Sequence, residues 1–195
     1  MTLLNILKYP DPFLAIKAAP VESVDDGIKT LISDMFETMY QAKGIGLAAT
    51  QVSANKRVVV LDVPDEEGAS PEGAESEYKN KPCPRMFKAG SGKNQIALIN
   101  PEILSSDGTV KFEEGCLSVP GETAEVERAA SIKARARNHK GETIEFTATG
   151  LFAIAIQHEI DHLNGILFID RLSRLKREFM KRRLKKAVEA AVRAL

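Results

Sequence analysis

LFAIAIQHEIDHLN, residues 151–164, is the most informative stretch of this sequence. It is mostly apolar and long enough for a buried helix, and Gly165 follows it, where helices commonly end. His158 and His162 are four residues apart and project from one helix face, so both imidazoles can bind one metal ion. Glu159, beside the first histidine, can act as a base on water at such a site. The alternative is a pair of core histidines whose hydrogen bonds are satisfied within the protein.

A catalytic metal site needs a third protein ligand and an open position. Cys116, in the segment EEGCLS at residues 113–118, can supply a thiolate. A Cys-His-His donor set suits zinc or ferrous iron and disfavours magnesium or calcium. Without the two histidines, Cys116 would be interpreted as a small buried hydrophobic residue. The other cysteine, Cys83, lies between two prolines and is interpreted as incidental.

The segment GIGLAATQ at residues 44–51 is a third candidate for function. Gly44 and Gly46 would let the backbone approach a ligand closely, and the Gln51 amide could donate to an oxyanion. Alone the pattern is weak, because a glycine pair that ends a helix is more often a plain turn. It also lacks the strand before and the helix after that a dinucleotide site requires.

The patterns around these segments predict an α+β fold with mixed or antiparallel sheets. Apolar residues at helical spacing from Ile28 to Met39 predict a helix that Gly44 ends. Strands are predicted at 57–63, 96–99 and 102–104, and alternation at 131–137 and 143–148 predicts a hairpin. From Leu172 onward an amphipathic final helix is predicted, with its apolar face marked by Leu175, Phe179, Leu184, Val188 and Val192.

Length and composition indicate a single domain over residues 1–195, with 44% hydrophobic and 28% charged residues. This balance excludes wholesale disorder, collagen-like repeats and a coiled coil. Residues 65–94 show no periodicity and predict a loop insertion. No apolar run is long enough for a membrane span, and the first residues do not resemble a signal peptide, so we expect no membrane association and a cytoplasmic protein.

Charge is balanced overall but not along the chain. Lys and Arg total 27, as do Asp and Glu, yet residues 171–195 carry ten basic and two acidic side chains. The basic C-terminal helix predicted at 172–195 could attract a polyanion such as RNA, or it could simply be a solvated helix face.

The three motifs GIGLAATQ, EGCLS and QHEIDH, in this order, resemble those of peptide deformylase, the enzyme that removes the N-formyl group from new bacterial proteins. The resemblance extends from about residue 5 to residue 175 and implies an α+β fold with mixed or antiparallel sheets around a central metal-binding helix. It implies a metal-dependent hydrolase that acts in protein biosynthesis on N-formyl-methionyl nascent peptides and releases formate. It also implies one divalent metal ion per chain, with Fe²⁺ as the native ion and Zn²⁺, Ni²⁺ or Co²⁺ able to substitute.

Matched residue by residue, the resemblance places the metal ligands on Cys116, His158 and His162. It places the acid/base on Glu159 and the oxyanion donors on the Gln51 side chain and the Leu117 backbone N–H. The residues expected around the methionine side chain and the peptide backbone are Ile45, Gly46, Phe112, Glu114, Leu151, Ile154 and Ala155. Arg128 matches a family arginine, and we expect it to pair with a carboxylate near the metal helix, with Asp161 as one candidate.

Two other functions remain as alternatives. A zincin-type metalloprotease shares the H-E-x-x-H pattern but takes its third ligand from a downstream residue; no histidine follows His162, and Glu178 and Glu189 lie in the basic helix. A catalytically idle relative that binds the ribosome or RNA is the second alternative. Ribosome docking through the C-terminal helix is also compatible with an active enzyme, which we expect to be a monomer.

Overall fold

The computed structural model describes residues 2–64 and 94–193, with side chains described as far as residue 187. These ranges contain three α-helices, α1 (Asp26–Gln41), α2 (Gly150–Leu163) and α3 (Arg174–Arg193). They also contain seven strands: β1 (Gly46–Ala48), β2 (Val58–Asp62), β3 (Gln95–Asp107), β4 (Val110–Cys116), β5 (Val119–Arg128), β6 (Ser131–Arg137) and β7 (Thr143–Thr149). The loop insertion predicted at 65–94, and Cys83 within it, lie outside the described residues except for Asn94.

The strands form two separate sheets. Five of them make an antiparallel sheet in the order β1-β2-β3-β6-β7, and β4 and β5 make a two-stranded antiparallel sheet. The hairpin predicted from alternation is β6–β7, which pairs from Ser131 with Thr149 to Arg137 with Thr143. The α+β fold expected from the sequence is confirmed.

The five-stranded sheet lies between α1 and α2. The apolar side of α2 packs on one face of the sheet, because Ile156, Ile160 and Leu163 fall on one side of the helix and are buried in one cluster with Leu61 and Leu98. Each such side chain contributes about 1.5–3 kcal/mol on burial. The opposite face of the sheet packs against the apolar stripe of α1, formed by Ile28, Ile32, Met35 and Met39. Helix α2 is thus a core element as well as the carrier of the histidine motif.

The apolar face predicted for helix α3 is only partly the face that packs: Leu184 is buried as predicted, but Leu175 and Phe179 are not. Leu175 and Phe179 are 82% and 64% exposed, whereas Met180 and Leu184 are buried. As far as residue 187, the covered side chains lie at helical spacing along one strip of α3, and the neighbouring pair Leu175 and Phe179 faces solvent. Although α3 has 20 residues, no helix in the described part of the chain is both long and apolar enough to cross a bilayer.

Candidate metal centre and substrate cleft

Helix α2 brings the two histidines of the motif together. Their ring centroids lie 4.9 Å apart, as expected for side chains one helical turn apart on the same face. The helix is tied to the end of β5 through Gln157, whose amide accepts from the Ala129 N–H at 2.9 Å and donates to the Ala129 carbonyl at 3.0 Å. These bonds fix the rotation of the helix at the turn that carries His158.

Cys116 reaches the histidines from the end of β4. The β4–β5 register shifts between Gly115 and Cys116, and such an irregularity re-aims the side chain that follows it. The Cys116 Sγ lies 3.2 Å from the His162 Nε2 and accepts from the Ser118 N–H at 3.4 Å. The ligand atoms of Cys116, His158 and His162 all lie within 4.8 Å of one another.

The electrostatics of these residues fit a divalent cation. Burial, followed by the charges of His158 and Arg128, lowers the pKa of His162 well below its ordinary value, so this imidazole is neutral, as a ligand must be. Burial also disfavours a charge on His158, but hydrogen bonds with Cys116 and Glu114 outweigh it and raise the His158 pKa well above its usual range. The surroundings of His158 therefore favour a positive charge beside Cys116 and Glu114. A thiolate with two imidazoles is a donor set that suits zinc or ferrous iron.

Glu159 lies at the base of the site with one carboxylate oxygen unused. Its Oε2 is buried without a hydrogen-bond partner among the described residues, which is uncommon for a buried polar atom. Burial raises the pKa of Glu159 to about 7, although the nearby His158 charge opposes the shift. A carboxyl with such a pKa can both accept and release a proton near neutral pH.

A buried network of ion pairs lies behind the histidines. The Glu114 carboxylate accepts from Arg128 Nε and Nη2 and hydrogen-bonds the His158 Nδ1 at 2.8 Å. Burial alone would raise the Glu114 pKa, but the hydrogen bonds from Arg128 and His158 prevail and lower it to about 2. Arg128 also donates to Asp161, so the contact expected from the sequence is present. A carboxylate on the far nitrogen of a ligand histidine fixes the orientation of the ring.

Gln51 presents its amide N–H group to the centre. Its Oε1 accepts from the Ala48 N–H at 2.8 Å, which leaves Nε2 directed at Ser118 Oγ, 3.1 Å away, and at Cys116 Sγ, 3.6 Å away. The backbone of Leu117 lies between these two residues and lines the same cleft. The Gln51 amide is thus fixed on one side of the site before any ligand arrives.

The centre opens into a cleft of about 480 Å³, a size suited to a small-molecule or side-chain ligand. Every residue predicted for the site lines this cleft, except His162, which is buried behind it. The apolar part is formed by Phe112, Leu151, Ile154 and Ala155. Ile45 and Gly46 line the same cleft, and Gly46 leaves no room for a Cβ, which would overlap the Glu159 carboxylate. Glu114 lines the cleft as well, and its carboxylate is bonded to Arg128 and His158.

Some residues of the site were not predicted. Arg171 donates to both oxygens of Asp161 and extends the ion-pair network to the surface. Its spacing of ten residues from Asp161 matches no helical or strand neighbour relation, so the sequence holds no signal for it. Lys43 and Glu122, at the solvent-facing end of the cleft, were also missed. The Glu178 side chain, the possible ligand of a protease-type site, is exposed on α3.

Comparison with known proteins covers nearly the whole chain. A profile of the polypeptide deformylase family matches residues 3–178. A peptide deformylase of Neisseria meningitidis is 48% identical over 186 residues, which are 95% of this chain and 96% of that protein. The crystal structure of a peptide deformylase from Legionella pneumophila has a TM-score of 0.81 at 42% identity and covers 98% of this chain and 99% of its own. A Met-Ala-Ser-bound class I type b peptide deformylase from Acinetobacter baumannii has a TM-score of 0.72 at 35% identity, with coverage of 88% and 99%.

The fold and the Cys-His-His centre in its cleft agree with these matches, whereas nothing among them favours a protease or an idle RNA binder. This chain belongs to the polypeptide deformylase family.

Proposed function

We propose that this protein removes the formyl group from N-formyl-methionine at the start of newly made polypeptides and releases formate. The observation that carries the proposal is the meeting of Cys116, His158 and His162 beside a buried Glu159, at the base of a cleft with an apolar end. A neutral apolar lining suits the unbranched thioether side chain of methionine. The Met-Ala-Ser peptide bound to the Acinetobacter baumannii relative is of the product type that this reaction would leave.

Cys116, His158 and His162 would hold one divalent metal ion. We propose Fe²⁺ as the native ion, with Zn²⁺, Ni²⁺ or Co²⁺ able to replace it, because a mixed sulfur and nitrogen donor set suits these ions. When bound, the ion supplies Lewis-acid chemistry, polarising a carbonyl and lowering the pKa of water.

Glu159 is the proposed acid/base of the reaction. Its unused Oε2 would take a proton from the attacking water, and the same carboxyl would give that proton to the amine that leaves. The pKa of about 7 that burial produces suits both steps, because neither protonation state is strongly disfavoured near neutral pH. Gly46 supports this role, because its lack of a side chain leaves room for the carboxylate.

Gln51 and Leu117 are the proposed oxyanion donors. The bond between the Gln51 Oε1 and the Ala48 N–H holds the Gln51 side chain beside the centre. An Nε2 N–H that now meets Cys116 or Ser118 would instead donate to the formyl oxygen as negative charge develops on it. The backbone N–H of Leu117 would be the second donor. Phe112, Leu151 and Ile154 would enclose the methionine side chain, while Ile45 and Gly46 would face the peptide backbone.

The test is formate release from a formyl-Met-Ala-Ser peptide by protein loaded anaerobically with ferrous iron, with nickel-loaded protein assayed in parallel. We expect release with both metals. Glu159→Ala should keep its metal, measured by elemental analysis, and lose activity. If fully metal-loaded wild-type protein released no formate, the proposed reaction would be wrong.

The basic helix α3 is proposed to dock on the ribosome. Removing residues 178–195 would also remove Met180 and Leu184 from the core, so charge reversal of the exposed Lys185 and Lys186 is the cleaner test. We expect Lys185→Glu with Lys186→Glu to weaken cosedimentation with ribosomes and to leave hydrolysis of short peptides unchanged. Unchanged cosedimentation would end this proposal.

We further propose that the protein acts as a monomer in the cytoplasm. One chain supplies every proposed ligand, donor and cleft residue. Size-exclusion chromatography with light scattering should report a mass near 21.3 kDa.

A further inference from the structure

Helix α3 packs behind the wall of the substrate cleft. Met180 and Leu184 are buried in one cluster with Val119 and Val126 of β5, the strand paired with the one that carries Cys116. The helix therefore packs against the β4–β5 sheet, in a cluster that Cys116 also contacts.

One ion pair connects this helix to the cleft itself. Arg183 Nε of α3 lies 3.1 Å from Glu122 Oε1, and the Glu122 side chain is only 11% exposed. Glu122 lines the cleft, and its carbonyl oxygen lies 3.9 Å from the point where a Cβ on Gly115 would be, next to Cys116. The Arg183 guanidinium also lies 6.0 Å from the centre of the Phe179 ring, which restricts its position further.

At the end of the cleft that Glu122 lines, some negative charges are paired with a positive charge and others are not. The exposed residues Lys43, Glu113, Gly121 and Thr123 line it, so this is the end through which a long peptide must leave. Glu113 accepts a hydrogen bond at 2.9 Å from Thr123 Oγ1, a neutral group that does not offset a carboxylate charge. The negative charge of Glu122, in contrast, is neutralised by Arg183. Arg183 thus reduces the negative charge that a substrate meets after its methionine.

We propose that Glu122 and Arg183 form a specificity-determining pair that sets the charge preference for the peptide residues downstream of the formyl-methionine. Arg183 is a positioning residue: it acts through Glu122 and need not touch the substrate. This inference rests on the proposed deformylase function. With the pair intact, the two charges offset each other, and loss of either partner exposes the charge of the other to the departing peptide.

The experiment compares kcat/KM for formyl-Met-Ala-Lys and formyl-Met-Ala-Asp, with amidated C-termini, in wild type and in Arg183→Ala, Glu122→Ala and the double variant. Arg183→Ala should raise the Lys-to-Asp ratio about two- to fivefold, the range expected for one partly exposed charge interaction. Glu122→Ala should lower the ratio by a similar factor, because Arg183 is then unpaired beside the cleft. The double variant should return close to the wild-type ratio.

Controls separate this effect from damage to the fold. Glu122→Gln keeps the shape of the side chain and should shift the ratio as Glu122→Ala does, while Arg183→Lys should restore most of the wild-type ratio. Arg182→Ala, on the same helix and exposed, should leave the ratio unaltered. Salt near 0.5 M should reduce every shift, since screening shortens the reach of charges to a few ångströms.

The neutral peptide formyl-Met-Ala-Ser distinguishes failure of the proposed deformylase function from failure of the Glu122–Arg183 inference. If it is hydrolysed but all peptides slow equally in Arg183→Ala, the pair is only structural and this inference is overturned while the proposed function stands. If wild-type protein hydrolyses none of the three peptides, the proposed function fails. Ratio shifts of opposite sign in the two single variants are the result that supports the pair.

Discussion

Replacing Gly46 with alanine should displace the proposed catalytic carboxylate without touching a metal ligand. A Cβ at this position would overlap Glu159 Oε1 and lie 3.0 Å from Glu159 Cδ and from Leu61 Cδ2. Carbon atoms prefer separations of about 3.5–4 Å, so Glu159 has to move by roughly 1 Å. The backbone itself is no obstacle, because Gly46 is not among the residues with positive φ.

The size of the effect follows from that displacement. A shift of about 1 Å in a reacting group costs on the order of a hundredfold in rate. Overpacking of this kind also costs about 1–3 kcal/mol of stability. We therefore expect Gly46→Ala to lower kcat for formyl-Met-Ala-Ser about a hundredfold and to lower the melting temperature, while the bound metal per chain stays unchanged.

A thermodynamic cycle with Glu159→Ala tests the reason for the loss. If the alanine methyl collides with Glu159, Gly46→Ala should destabilise the Glu159→Ala protein less than it destabilises wild type, with only the Leu61 contact left. Gly115→Ala is the matched control for stability, since its Cβ would have its nearest neighbour, Thr123 Cγ2, at 3.4 Å. Wild-type kcat in a folded, metal-loaded Gly46→Ala protein would refute the argument.

The remaining predictions concern the proposed oxyanion donor Gln51, the ion-pair network around Arg128, and Tyr40 of α1. Gln51→Ala should lower kcat about a hundredfold with metal content intact, because one fixed oxyanion donor is lost; a change in KM alone would contradict that role. Arg128→Ala should reduce the free energy of unfolding in urea by about 3–5 kcal/mol, since the buried Glu114 then keeps only its bond with His158 and Asp161 keeps only Arg171. Removal of the half-exposed Arg171 should cost clearly less. Burial and then the hydrogen bond to Asp62 raise the pKa of Tyr40 to about 12. The unfolded chain loses this proton near pH 10, whereas the folded protein keeps it. The contribution of Tyr40 to the free energy of unfolding is therefore complete below pH 10 and is lost as the pH rises towards 12. In denaturant titrations, Tyr40→Phe should lack this alkaline decline in stability.

The helix that carries the metal motif could be predicted because its signal is local. An apolar run closed by Gly165 predicted a helix at 151–164, and α2 spans Gly150–Leu163. The four-residue spacing of His158 and His162 fixes their common face by helix geometry alone. Cys116 was assigned from its chemistry and its motif, and its position beside the histidines depends on the fold of a distant hairpin.

Strand β1 was missed because it has only three residues, and β4 and β5 because charged residues interrupt the apolar side of each strand. Alternate residues of VKFEEGC and VPGETAEVER are covered, but Glu114 and Arg128 occupy buried positions where an apolar residue is expected. Helix α3 shows a related error, because an apolar residue at helical spacing need not be covered when the helix contacts its neighbours along one strip. Ion pairs such as Arg183 with Glu122 join distant parts of the chain and have no local signal.

Helix α2 packs Ile156 and Ile160 in the main core while it presents His158 and Glu159 to the cleft. Random substitution along this helix should therefore lower soluble yield and activity together, so few substitutions in it should be neutral. Lys43 and Thr123, at the solvent-facing end of the cleft, line the cleft but are exposed and do not pack in the core. In directed evolution of substrate preference, accepted substitutions should therefore occur mostly at the solvent-facing end of the cleft and rarely in α2.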